Sequence, residues 1–275
     1  MLINTILDRV KHEFSQPDII WEYAKISESD LKFLKEECDT NVNFDPLNMR
    51  KNMYKNMIKG KSYTIIKKCE YGQILAVLDK DQLDHIPWDL WGRILRMYYE
   101  GKPFKVYFLA NKNLRKFSKS IITPENINGG YTYRCNTETI IIFRAEDATR
   151  VLIHELQHSC CLDNHENGVD LIEAETEAWA ELLYIAILSE GKNVNDMLQK
   201  QSEWIVKQNE KVKKYITYPM EFPWRYTIGK EDVWRRWNIL QDYKSNLVVN
   251  SLRLTYPPNN TLKKRFHVSN DSTML

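Results

Sequence analysis

Apolar and polar residues follow one another along the chain with two different periods, and these periods predict different elements. Within residues 1–60 the apolar positions recur at helical spacing among many polar ones, which predicts a helical N-terminal segment. Residues 62–68 and 72–78 have the composition of two strands joined by a tight turn, and residues 104–110 read as a buried strand. The clearest strand of the chain is TIIIFR at 139–144.

The second half of the chain has mainly helical patterns. Residues 151–188 read as two helices, and more polar helices are predicted at 194–215 and 231–249. The segment 215–229 between them is dense in aromatic residues and is predicted to be a loop. From Tyr256 on, two prolines block helix continuation, and the remaining residues read as a tail.

The order of these elements predicts the fold class. Strands fall between about 62 and 144, and helices dominate after them, which predicts an α+β fold with a small mixed sheet. A length of 275 residues is enough for one large domain or two closely packed lobes. We therefore divide the chain into a helical N-terminal segment at 1–60, a principal domain at 61–255 and a tail at 256–275.

Composition argues against several classes of partner. Hydrophobic residues make up 43% of the chain and charged residues 28%, as in soluble globular proteins. The formal net charge of +2 is too small to argue for a nucleic acid or an anionic membrane as partner. No stretch reaches the roughly 18 apolar residues of a membrane span, and the first residues lack the features of a signal peptide.

The strongest chemical signal is the run HELQH at 154–158, an HExxH pattern within a predicted helix. Four residues are close to one helical turn, so His154 and His158 project side by side from one face. Two imidazoles placed in this way can bind one zinc ion at about 2.0–2.1 Å. Glu155 lies near the same edge, where it can take a proton from a metal-bound water without being a ligand itself.

A zinc site of this kind needs a third protein ligand. Glu173, Glu177 and Glu181 stand at positions i, i+4 and i+8 and form one stripe of the next predicted helix, whereas Glu175 points to nearly the opposite side. Three carboxylates on one stripe repel each other. Alanines flank the stripe and allow close approach of another helix, so the stripe suits carboxylates that are turned toward a cation.

The spacing between the two helices makes the pattern more specific, because eighteen residues separate His158 from Glu177. HExxH-x18-E resembles the motif of the gluzincin metallopeptidases. The resemblance implies a zinc ion bound by His154, His158 and Glu177. It further implies that Glu155 is the general base and that Glu181, one turn beyond the third ligand, orients the first histidine.

A second metallopeptidase motif, the metzincin pattern HExxHxxGxxH, does not fit this chain. Cys161 replaces its glycine and Asn164 replaces its last histidine. His165 stands one position out of that register and remains a minor rival for the third ligand. The other histidines, His12, His85 and His267, stand apart from any partner, and we expect them to be structural or solvated.

The gluzincin resemblance also implies a fold and an activity. The expected fold is zincin-like with a helical C-terminal lobe, and the expected reaction is hydrolysis of a peptide or protein substrate. In such folds an edge strand before the HExxH helix holds extended peptide through main-chain hydrogen bonds, and TIIIFR at 139–144 is its expected counterpart. Gly129 and Gly130 either let the backbone approach substrate closely or form a plain hairpin turn.

The resemblance further implies a residue that stabilises the oxyanion of the reaction. We expect it in the aromatic segment, where the candidates are Tyr226 as first choice, Arg225, Tyr218 and Tyr215. Two functions without turnover remain as alternatives: a zinc-stabilised binding module, and a structural protein of a virus particle. Glu155 favours the enzyme, because a structural site has no use for an unligated carboxylate at that position.

Two further observations concern the cellular setting. The five cysteines stand at scattered positions and do not make up a disulfide framework, so a reducing, cytosol-like compartment is expected. Cys160 and Cys161 follow the HExxH run and could hold a metal, but we expect both to be small buried apolar residues. The run from Gly129 to His158 also looks similar to uncharacterised metallopeptidases of large DNA viruses, which would place the protein in the host cytoplasm or the virion.

Overall fold

Strands and helices segregate into two units in the computed structural model, which describes residues 2–83, 86–164, 166–216, 221–240 and 245–257. The sheet unit, as we call it, comprises residues 17–83, 86–114 and 128–161. The helical unit comprises the described residues within 2–16, 115–127 and 162–257. The predicted principal domain at 61–255 contributes to both units, and its boundaries stay a prediction.

The sheet unit is built on a six-stranded mixed sheet, which confirms the predicted α+β class. Its strands in chain order are β1 (Glu22–Tyr23), β2 (Tyr63–Cys69), β3 (Gly72–Leu78), β4 (Phe104–Leu109), β5 (Gly130–Thr132) and β6 (Ile140–Ile142). They lie side by side in the order β1-β2-β3-β4-β6-β5. The pairs β3–β4 and β4–β6 are parallel, and the other neighbouring pairs are antiparallel.

Helices cover both faces of this sheet. The helices of the two units in chain order are α1 (Leu2–Ser15), α2 (Glu28–Asp39), α3 (Met49–Ile58), α4 (Trp88–Tyr98), α5 (Pro124–Ile127), α6 (Ala148–Ser159), α7 (Val169–Leu188), α8 (Asn195–Val212), α9 (Phe222–Tyr226) and α10 (Ile228–Arg236). On one face, α2 and α3 bury Leu34 and Met53 against strand residues such as Tyr107. The next residue, Phe108, points to the opposite face and contacts Trp91 of α4 with ring centroids 5.1 Å apart.

Strand β6 is buried on both faces of the sheet. Ile140, Ile141 and Ile142 are 0%, 1% and 0% exposed, so both faces of β6 are covered. The sequence prediction that TIIIFR is the edge strand is therefore wrong, because β6 lies between β4 and β5. Among the described strands the edge position beyond β6 belongs to β5.

The helical unit is organised around α7, which contacts α1, α9 and α10. Its Ala174 and Ala178 are fully buried and let α10 approach closely. A Cβ atom added to Gly229 of α10 would lie 2.8 Å from Cβ of Ala174, and Nε1 of Trp234 donates a hydrogen bond of 3.1 Å to the Ala178 carbonyl. The predicted close approach of another helix to these alanines is confirmed.

The end of the helical unit departs from the sequence prediction. The helix predicted at 231–249 ends at Arg236, and the described residues among 237–249 are not helical. Asn238 adopts a left-handed φ of 53°, and the Ile239 amide donates to the Trp234 carbonyl at 2.9 Å, which closes the helix as a Schellman-type turn does. The segment predicted as a loop contains α9, in which a proline occupies the first turn.

The predicted helical character of residues 1–60 is confirmed by α1, α2 and α3, with the short strand β1 added. Pro258 and all later residues of the predicted tail lie outside the described residues, as do His85 and His267. Across the described residues, no helix combines the length and the apolar character that crossing a membrane requires.

Candidate metal centre

Helix α6 carries the HExxH run, and its burial explains where the helix lies. Val151, Leu152, Ile153 and Leu156 are at most 4% exposed and anchor the helix in the sheet unit. Nε1 of Trp91 in α4 donates a hydrogen bond of 2.8 Å to the hydroxyl of Thr149 near the start of α6. Burial of the apolar side chains thus fixes the rotation of α6 about its axis. This rotation in turn determines which way the side chains of the HExxH residues point.

The two imidazoles lie together on α6, as the spacing predicts. The Nε2 atoms of His154 and His158 are 3.0 Å apart, and the two rings are nearly perpendicular at 73°. Two nitrogen ligands of one tetrahedral zinc ion are separated by about 3.3 Å, since each bond is about 2.0–2.1 Å long. The observed separation therefore fits a shared metal ion with little adjustment. His154 is 6% exposed and His158 is half-buried.

Glu155 is 5% exposed and lies against the edge strand β5. A Cβ atom added to Gly130 would lie 2.6 Å from Cγ1 of Val151 and 3.1 Å from Oε1 of Glu155. The backbone of β5 thus approaches α6 at one turn of the helix, where only glycine leaves room. Gly130 belongs to strand β5 and not to a hairpin turn. The group that its backbone approaches closely is the Glu155 side chain.

The other face of β5 is held by a buried cluster around Arg50 of α3. The Arg50 guanidinium donates to Asp45 at 3.0 Å, to Glu37 at 3.0 Å and to the Tyr131 hydroxyl at 2.7 Å. Its Cζ atom lies 5.1 Å from the centre of the Phe44 ring and 5.3 Å from that of Tyr131. Burial, together with the hydrogen bond to Glu37, raises the pKa of Tyr131, which keeps its hydroxyl a donor.

Four glutamates of α7 occupy different environments within the helical unit. Glu173 is partly exposed, whereas Glu177 is 2% exposed. Glu175, on the other side of the helix, lies 3.6 Å from a guanidinium nitrogen of Arg236. This ion pair agrees with the prediction that Glu175 points away from the stripe formed by the other three glutamates. The role of Glu177 as the third zinc ligand stays a prediction.

Glu181 is fully buried and is held by partners from the helical unit. Its Oε1 accepts a hydrogen bond of 2.6 Å from the Thr255 hydroxyl, and its Oε2 lies 3.3 Å from Nζ of Lys230. Lys230 also donates to the Leu254 carbonyl at 2.7 Å. These bonds fix the orientation of the carboxylate, and the predicted effect of Glu181 on His154 stays a prediction.

The candidates for oxyanion stabilisation differ in how far their side chains are engaged. Arg225 forms an ion pair with Asp170, which neutralises much of its charge. Tyr215 stacks on Phe117 with ring centroids 5.6 Å apart. Tyr226 ends α9, is half-buried and contacts Phe222. Tyr218 and the rival ligand His165 lie outside the described residues, and Tyr226 as a catalytic residue stays a prediction.

Cys161 corrects one expectation from the sequence. It is exposed and forms a disulfide with Cys135, so it is neither a small buried apolar residue nor a free thiol. Cys160 has a free thiol but is only half-buried, so the expected burial of this residue is met in part. The pairing was not detectable from the sequence, because 26 positions separate two cysteines that no motif connects. The buried Arg50 cluster was also missed, since its members are spread over three elements.

Comparison of the chain with protein-family models, with curated proteins and with solved structures finds no match. The evidence for a class of protein therefore lies in the residues of α6 and their surroundings. Those residues are two imidazoles at a separation suited to one metal ion, and a buried carboxylate between them in sequence. This combination of residues, rather than a relative, supports the function proposed below.

Proposed function

We propose that the chain is a zinc-dependent peptidase of gluzincin type, and that its sheet and α6 form a zincin-like fold. The observation that carries this proposal is the 3.0 Å separation of the His154 and His158 Nε2 atoms on a helix that also presents Glu155. A hydrogen bond between two neutral imidazoles would give a similar distance. The adjacent buried Glu155 favours the metal, because such a bond would not require a carboxylate there.

The third ligand is proposed to be a carboxylate of α7. The eighteen-residue spacing from His158 supports Glu177, which is 2% exposed. Glu173 stands one turn earlier on the same stripe of α7 and is the rival carboxylate. The zinc affinities of variants at the two positions distinguish them.

Zinc, when bound, supplies a Lewis acid that lowers the pKa of a coordinated water to about 7. Glu155 accepts the proton of the water that attacks the peptide carbonyl, and it later donates this proton to the leaving amine. Tyr226 is proposed to donate a hydrogen bond to the oxyanion, a role that its hydroxyl can fill at neutral pH. The backbone of β5 passes close to this carboxylate at Gly130.

The edge strand β5 is proposed to bind the substrate. Its pairing partner is β6 on one side, and among the described strands no other pairs with its outer edge. An extended peptide can add to such an edge through main-chain hydrogen bonds. Because Gly130 contacts Glu155, a peptide paired along β5 would run past the proposed general base. In this proposal β5 is the substrate-binding edge strand, a role that the sequence analysis assigned to TIIIFR.

The test is the zinc content of the purified chain together with its action on a peptide library. Elemental analysis should find about one zinc per chain in the wild type and none in His154→Ala or His158→Ala. Mass spectrometry of the library should show cleavage by the wild type and by neither histidine variant. Glu175→Gln is the matched control, because Glu175 pairs with Arg236. It should keep both zinc and cleavage.

Two results would contradict the proposal in different ways. Full zinc retention in both histidine variants would rule out the metal site. A wild type that holds zinc but cleaves no peptide would instead favour the alternative function of a zinc-stabilised binding module or structural protein.

A further inference from the structure

A disulfide joins the loop after the edge strand to the end of the HExxH helix. Cys135 lies in the hairpin between β5 and β6, and Cys161 follows the last turn of α6. Their Cα atoms are 4.8 Å apart, and both residues are exposed. An exposed disulfide is accessible to thiols in solution, and such bonds are more often the labile and regulatory ones.

Both bonded cysteines hold the backbone of one proposed metal ligand. The Cys135 amide donates a hydrogen bond of 3.0 Å to the His158 carbonyl, and the Cys161 amide donates one of 3.2 Å to the same oxygen. His158 is therefore fixed at its carbonyl by two amides whose side chains are bonded to each other. No other residue of the HExxH run has this arrangement among the hydrogen bonds described for the sheet unit.

The backbone of both cysteines adopts a conformation that a side chain disfavours. Cys135 has φ of 59° and Cys161 has φ of 56°, within the left-handed region that suits glycine. The disulfide links these two residues covalently, and both of their amides donate to the His158 carbonyl. Loss of the bond would remove a covalent restraint on the two segments that meet at that oxygen.

We propose that Cys135 and Cys161 are positioning residues for His158, and that thiol–disulfide exchange at their bond regulates metal binding. The regulatory part rests on the proposed function, because it requires His158 to be a metal ligand. The oxidised chain holds the last turn of α6 in the geometry that brings the two imidazoles together. The reduced chain loses this restraint and binds the metal less tightly.

The exchange needs a reductant, which we take to be a dithiol. One of its thiolates attacks a sulfur of the Cys135–Cys161 bond, forms a mixed disulfide and releases the other cysteine as a thiolate, which takes up a proton. The second thiol of the dithiol then displaces the first cysteine. The protein gains two thiols, and the dithiol leaves as a cyclic disulfide.

The experiment compares the oxidised full-length chain with the same chain after reduction by dithiothreitol and anaerobic removal of this reductant, which itself binds zinc. Alkylation of the denatured but unreduced chain should label three thiols, those of Cys38, Cys69 and Cys160. Hydrogen exchange followed by mass spectrometry should show faster exchange of the amides at 158–161 in the reduced chain. Zinc affinity, measured by competition with a chromophoric chelator, should fall by about 10-fold or more, the range found when partners that orient ligands are lost.

Variants separate the disulfide from general effects of the reductant. Cys135→Ser should behave in both conditions like the reduced wild type, and it should no longer respond to dithiothreitol. Cys160→Ser is the matched control, since it removes an adjacent thiol that is not part of the bond. It should behave like the wild type in both conditions.

The outcomes distinguish this inference from the proposed function. Labelling of five thiols in the untreated chain, or equal exchange at 158–161 in both states, would overturn the positioning role. Faster exchange with unchanged zinc affinity would overturn the regulation. Faster exchange in a chain that binds no zinc in either state would support the positioning of His158 while the proposed function fails.

Discussion

Gly130 of β5 and Glu155 of α6 approach so closely that a Cβ atom on the glycine would lie 3.1 Å from Oε1 of the glutamate. The same atom would lie 2.6 Å from Cγ1 of Val151, one turn earlier in α6. A strand and a helix are in contact at these two points, and the proposed general base is at one of them. The position of the Glu155 carboxylate therefore depends on the absence of a side chain at residue 130.

Gly130→Ala should lower the rate of peptide hydrolysis while zinc content stays normal, because the added methyl group would crowd Glu155, and none of the three atoms that it would approach most closely belongs to a proposed ligand. A misplacement on the order of 1 Å costs up to about 100-fold in rate, so we expect a loss of about 10- to 100-fold. The clash with Val151 should also reduce the free energy of unfolding by about 1–3 kcal/mol. Rates of zinc-matched samples and urea unfolding measure the two effects.

The double variant Gly130→Ala with Val151→Ala separates these effects. Truncation of Val151 removes the closest contact of the added methyl group, so part of the clash penalty should disappear, while the approach to the Ile141 carbonyl oxygen at 3.0 Å remains. The contact with Glu155 remains, and the rate should stay low relative to Val151→Ala alone. A double variant as fast as Val151→Ala would show that Gly130 serves packing alone.

The choice between Glu177 and Glu173 can be decided by zinc affinity. We expect Glu177→Gln to weaken zinc binding more strongly than Glu173→Gln, because the spacing from His158 matches the gluzincin motif and the Glu177 side chain is buried. Loss of a true ligand should exceed the 10- to 100-fold effect typical of residues that merely orient ligands. Affinities of both variants, with Glu175→Gln as control, provide the comparison. A larger loss for Glu173→Gln would reassign the third ligand.

Helices and strands with a clear apolar periodicity were predictable from the sequence. Helix ends that depend on an unusual backbone conformation were not. The helix with HExxH and the strands β2, β3 and β4 lie close to their predicted positions. The helix predicted to reach residue 249 was overextended, because a left-handed Asn238 ends it in a way that the apolar pattern does not reveal. Three consecutive isoleucines at 140–142 should have been read as a strand enclosed on both faces rather than an edge.

In the candidate site, too, only the relations between residues that are close in sequence were predictable. His154, Glu155 and His158 could be identified because their relation is local, within one turn of a helix. The contact of Gly130 with Glu155 joins residues that are 25 positions apart, and Tyr131 meets Arg50 across 81 positions. Such contacts depend on which strand pairs with which, and the periodicity of one segment carries no information about that pairing.

Asp30 near the start of α2 is held by a different set of contacts that makes stability depend on pH. Its Oδ1 accepts from the Tyr107 hydroxyl at 2.9 Å and lies 2.5 Å from Nζ of Lys105, and its Oδ2 accepts from the Ser27 hydroxyl at 2.6 Å. Burial raises the pKa of Asp30, but the hydrogen bonds from Lys105, Ser27 and Tyr107 outweigh it and lower the pKa to about 2.

The lowered pKa of Asp30 means that its contribution to stability is present above the ordinary pKa of 3.8 and is lost as the pH falls toward about 2. We expect Asp30→Asn to lower the free energy of unfolding at pH 7 by about 1–2 kcal/mol. The difference from wild type should shrink between about pH 4 and pH 2. Urea unfolding across this range measures it, and Asp39→Asn, at the exposed end of the same helix, is the control. A difference independent of pH would contradict the assignment.

Glu155→Gln separates the enzyme from a zinc-binding module. The substitution keeps the size of the side chain beside Gly130 and removes the base, so the fold and the zinc content should be unchanged. A positioned base typically contributes about 10²–10⁴-fold to rate, and hydrolysis of a cleavable peptide should fall by about that factor. The measurement is a single-turnover assay on wild type and variant at matched zinc occupancy. A variant that cleaves as fast as wild type would show that another group takes the proton, while loss of zinc from the variant would mean that Glu155 serves the metal site itself.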